Sequence, residues 1–75
     1  MTFIPHFIQP TVEEVIQAEE VFSGGFPVTQ AERKRAKNLK IDIDQDTVME
    51  VSSRLELEEA DVIDLIKLLF ITGIL

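Results

Sequence analysis

Apolar residues recur three and four positions apart in three stretches of this chain, and each recurrence marks one face of a short helix. Val12, Val15, Ile16 and Phe22 share one side of the first stretch, with Glu13, Gln17 and Glu20 on the other. Val48, Val51 and Leu55 repeat the spacing over about two turns, and Val62, Leu65, Ile66 and Leu69 repeat it on a longer, far more apolar run. Between them QAERKRAKNL, residues 30–39, is mostly polar, with Ala31, Ala36 and Leu39 as its packing residues.

Local signals bound these helices. Thr11 with Glu14, Thr29 with Glu32, and Thr47 with Glu50 are each spaced as a capping box, in which a hydroxyl and a carboxylate satisfy the open amides of a helix start. Asp46 is a second candidate for the third cap. Pro10 bars backward extension of the first helix, and Gly24-Gly25 suits its close. The pattern predicts helices over 11–23, 29–39, 47–56 and 58–72, an extended arm over 1–10, and a short strand or extended linker over 40–46. In the arm Phe3, Ile4, Phe7 and Ile8 sit around Pro5 and Pro10, and call for burial along the domain or against a partner.

These elements predict an all-α fold, a small bundle of three to four short helices with an extended N-terminal arm. At 75 residues the chain has interior for one domain. Ten of the 14 residues from Val62 to Leu75 are Val, Ile, Leu or Phe, more than one buried stripe uses. Ile63, Leu68, Phe70 and Ile71 therefore need cover from the arm and first helix or from a second subunit, which makes a homodimer one expectation.

Charge changes the picture more than composition does. Residues 1–32 carry five acids and no Lys or Arg, residues 33–40 five bases and no acids, and residues 41–75 nine acids and two bases, giving −5, +5 and −7. The net charge of −7 opposes general nucleic-acid binding, leaving Arg33, Lys34, Arg35, Lys37 and Lys40 as a local candidate contact for phosphate or an acidic partner. The same block would also neutralise its acidic neighbours. With no cysteine, disulfides and thiol chemistry are excluded, and a cytoplasmic setting is expected. The opening MTFIPHFIQP lacks the charged start of a secretory leader, and Asp64 and Lys67 interrupt the apolar tail, so no membrane association is expected.

From Val51 the order of residue types resembles the helix-turn-helix unit of winged-helix DNA-binding domains. Val51, small Ser52, Leu55, the turn at Glu56, Leu57, Val62 and Leu65 carry the likeness, and Gly73-Ile74-Leu75 falls where such domains turn toward the wing. A fainter likeness is to the N-terminal module of bacterial translation initiation factor two. The resemblance implies that the helix beginning at Gln30 supports the pair, and that the helix after the turn faces a major groove. Two positions depart from the pattern. Glu56 stands where glycine is usual, and Glu58, Glu59, Asp61 and Asp64, relieved only by Lys67, stand where bases and phosphates would be met.

Other chemistry is weakly supported. The diglycine lacks the Gly-Lys-Ser/Thr of a phosphate loop. Asp42, Asp44 and Asp46 open like a calcium loop, but Thr47 replaces its glycine and Ser53 its closing glutamate. His6 is the single histidine, so neither a metal site nor a cofactor is expected, and no nucleophile has an evident base, so neither is catalysis. What remains is a small acidic protein-binding regulator using Glu58, Glu59, Asp61, Asp64, Ile63, Phe70 and Ile71 on a basic partner surface, in competition with nucleic acid for that surface. The alternatives are a dimeric DNA-binding transcriptional regulator using residues 33–40, and a structural or assembly subunit.

Overall fold

The computed structural model describes residues 10–73. They form four helices, α1 (Val12–Ser23), α2 (Gln30–Asn38), α3 (Gln45–Leu55) and α4 (Glu59–Thr72), with no strand among the described residues. The expected small all-α bundle is therefore what the chain forms, and the segment between α2 and α3 is a linker rather than a strand. The arm expected over 1–10 lies outside the described residues except for Pro10, which is buried.

The first two capping boxes are complete. The Thr11 hydroxyl accepts from the Glu14 amide at 3.1 Å, and the Thr11 amide donates to the Glu14 carboxylate at 2.9 Å. Thr29 and Glu32 repeat the exchange at 3.1 and 3.0 Å. The backbone amide and then the hydroxyl of Thr29 hold the Glu32 carboxyl below its ordinary value, with Arg35 adding a smaller push in the same direction. A carboxyl with a lowered folded-state pKa contributes stability above its unfolded value and loses it as pH falls through the lowered one. On acid titration followed by amide exchange, the start of α2 is expected to fray as Glu32 protonates. Thr29→Ala keeps the backbone amide and loses the hydroxyl, so it should weaken that acid step without abolishing it and cost about 1 kcal/mol at neutral pH.

The third cap corrects the sequence expectation. α3 begins two residues early, at Gln45, because the Asp44 carboxylate accepts from the Asp46 amide at 3.0 Å. Aspartate caps at least as well as threonine, so the earlier residue takes the role. Glu50, freed from capping, receives Arg54 at 3.0 Å along the helix.

Glu56 closes α3 in the left-handed region, at φ 55 and ψ 43. Its amide and that of Leu57 both donate to the Ser52 carbonyl, and the Ser52 hydroxyl donates to the Leu57 carbonyl, so the turn is tied from both sides. The tie holds a side-chain-bearing residue where glycine is less strained. Glu56→Gly should accordingly stabilise the domain by about 1 kcal/mol, seen as a higher urea midpoint with an unchanged slope.

α4 is the helix around which the others pack. It contacts α1, α2 and α3, α1 also contacts α3, and α2 contacts no helix but α4. Val15, Ala18, Val48, Val51, Val62, Leu65, Ile66 and Leu69 form the buried core, with Ile63, Leu55 and Leu57 packed against it. α1 is thus the helix that packs on both α3 and α4, while α2, the supporting helix that the resemblance implied, packs on α4 alone. α1 buries Val15 and Ala18 and can span both partners, whereas α2 has one buried residue, Ala36, and a polar remainder.

Candidate functional site

The four carboxylates expected on the recognition-type face, Glu58, Glu59, Asp61 and Asp64, are all exposed. They occupy the N-terminal cap and first turns of α4, where the helix dipole favours negative charge. Glu59 accepts from the Gln45 amide group at 2.6 Å, which draws it toward α3. Asp61 and Asp64 instead line a cleft together with Arg33 of α2.

The apolar residues expected beside them separate. Ile63 packs against the core, Ile71 is half-buried, and Phe70 stays 37% exposed. Two more exposed large apolar residues had no functional reading from the sequence, Phe26 at 37% and Met49 at 54%. Phe26 is the more informative, because its ring meets Phe22 edge-on with centroids 5.7 Å apart.

That ring pair helps to line an open cleft of about 210 Å³ between the end of α1, the loop before α2, and α4. Phe22, Val28, Leu57, Leu65 and Leu68 supply apolar lining, and Glu19, Asp61, Asp64 and Arg33 supply charge. Gly25, at φ 105, lets the chain turn sharply enough after α1 to bring Phe26 back against Phe22. Three carboxylates against one guanidinium leave the cleft negative.

A second depression continues along the α2–α4 seam between Arg33, Ala36, Lys37, Asp64 and Leu68. Farther on, Lys40 and Lys67 border a third with Leu39, Ile41 and Asp42. The seam thus runs from acidic at the start of α4 to basic at the end of α2. Arg33, Lys34, Arg35, Lys37 and Lys40 are all exposed, but the structure divides them. Arg33 and Lys37 share the seam with Asp64, while Lys34 and Arg35 do not line it. Among the described residues Arg33, Lys37, Asp61 and Asp64 close no ion pair, so their charges remain available to a ligand.

Among the described residues no group of three or more His, Cys, Asp or Glu is placed to hold a metal ion. Asp44 of the calcium-like run serves as a helix cap, and His6 lies outside the described residues. No described helix is long and apolar enough to cross a membrane. No family model, curated protein or solved structure matches the chain.

Proposed function

We propose that this chain is a small acidic protein-binding regulator, which presents its α3–α4 pair to a basic surface of a protein partner and competes with nucleic acid for it. The observation that carries the proposal is the exposure of Glu58, Glu59, Asp61 and Asp64 together at the start of α4. On a helix-turn-helix scaffold this is the side that would enter a major groove. Carboxylates there oppose two phosphate backbones and complement lysine and arginine instead. Exposed Phe26 and Phe70 add apolar area of the kind that anchors protein contacts.

Capture from lysate with and without nuclease, using the wild type and Glu58→Lys/Glu59→Lys/Asp61→Lys, tests the proposal. The wild type should retain a basic protein after nuclease treatment, and the variant should lose at least about tenfold of it. Gel-shift titration should find no duplex DNA binding at moderate salt.

A second reading, a dimeric DNA-binding regulator, is favoured by the exposure of all five bases of the 33–40 block. Salt-sensitive duplex binding that disappears in Arg33→Ala/Lys34→Ala/Arg35→Ala would establish it and overturn the first.

A further inference from the structure

We infer that the cleft beneath Phe22 and Phe26 is a docking groove for a cationic peptide segment that carries one large apolar side chain. The inference deepens the protein-binding proposal and rests on it. At about 210 Å³ the space is smaller than the roughly 300–1,000 Å³ of small-molecule and cofactor pockets, and suits an anchor side chain. Leu57, Leu65 and Leu68 line it with apolar surface, and the edge-on Phe22–Phe26 pair adds two aromatic rings to the lining. Around that surface Glu19, Asp61 and Asp64 outnumber Arg33. A lysine or arginine beside the anchor would lay its stem on a phenylalanine ring and its charge between carboxylates, where cation–π and ionic attraction act together.

Charge also selects among occupants. Residues 1–9 bring Phe3, Ile4, Phe7 and Ile8 but no lysine or arginine, so they would satisfy the lining and leave the carboxylates uncompensated. A second copy would offer its 33–40 block, but the one large apolar side chain there, Leu39, is already half-buried in its own fold. A separate protein segment with both features fits best.

The test is fluorescence anisotropy of a labelled peptide, a central phenylalanine flanked by lysines and arginines, titrated with the full chain, together with amide shift mapping. Saturable binding is expected, with shifts centred on Leu57, Leu65 and Leu68. Asp61→Lys/Asp64→Lys should weaken it at least about tenfold, and Phe26→Ala at least about fivefold. Both changes are at exposed positions and should leave the helical spectrum intact. Glu50→Lys, on α3 and away from the cleft, should stay within about twofold.

Equal affinity for the same peptide with alanine in place of phenylalanine would overturn the groove and leave only charge attraction. So would concentration-dependent shifts of the cleft residues without peptide, which would make the occupant a second copy, or tighter binding on deleting residues 2–9, which would make it the chain's own arm. Binding lost in Glu58→Lys/Glu59→Lys but unchanged in Phe26→Ala would overturn the groove while sparing the protein-binding proposal. No peptide binding alongside salt-sensitive DNA binding would end both.

Discussion

Ile66→Ala is expected to remove from about a fifth to all of the domain's stability. Ile66 is fully buried and the largest of the fully buried side chains, on the helix that touches all the others. Truncation loses the transfer free energy of the removed carbons and leaves a cavity that rigid neighbours on several helices cannot all close, at a cost of about 2–5 kcal/mol. A domain of 75 residues has a total of about 4–11 kcal/mol to lose, and no disulfide limits its unfolded state. Urea unfolding followed by circular dichroism should show a large fall in midpoint, or no folded baseline at all. Ile66→Val, which removes one methyl, should cost only about 0.5–1.5 kcal/mol. A loss below that range for the alanine variant would mean that the centre of the bundle lies elsewhere.

Ala18→Leu tests the opposite fault. Ala18 is fully buried on α1, the helix that packs on both α3 and α4. Its small side chain lets α1 sit close to that pair, and a leucine would force side chains off their rotamers or push the helix outward, costing about 1–3 kcal/mol. The domain should remain folded with a lower midpoint. Hydrogen exchange should quicken in α1 first, then in α3, and least in α2, which touches only α4. Ala31→Leu, on the exposed side of α2, should change stability by no more than about 0.5 kcal/mol. Equal losses in the two variants would show that helix propensity, rather than the fit of α1, sets the cost.

Both variants stand on residues that differ in how visible they are beforehand. Ile66 belongs to the Val62, Leu65, Ile66 and Leu69 stripe, all of which are buried. Ala18 does not stand out, since alanine is as common on exposed helix faces as at close crossings. Ile16 shows the reverse error, an apolar residue expected in the core that is only half-buried. Periodicity identifies a face to within about one residue position, and the neighbouring helix decides which edge of that face is covered.

The candidate site was readable only in pieces. The helix-turn-helix resemblance, and not periodicity, places the carboxylates at the start of α4 on an exposed side, since Glu58 and Glu59 stand four and three residues before Val62. Those two are exposed as the cap and first residue of the helix. Their division could not be placed from sequence: Glu59 bonds to Gln45, while Asp61 and Asp64 border a cleft with Arg33. Phe26 had no periodic neighbour to assign it, and its meeting with Phe22 depends on the turn at Gly25.

Four helices, their stops at Gly24 and Glu56, two of three threonine caps, the α4 core stripe and the alternation of charge blocks were all legible along the chain. Each of these is set by interactions within about four residues along the chain, so spacing and residue type suffice. Tertiary structure alone decided that α1 packs on both α3 and α4 while α2 packs on α4 alone, that Ala18 is fully buried, and that Phe22, Phe26, Arg33, Asp61 and Asp64 line one cleft. Those facts depend on how helices cross, which follows from packing side chains of several segments at once and has no signature in any one of them.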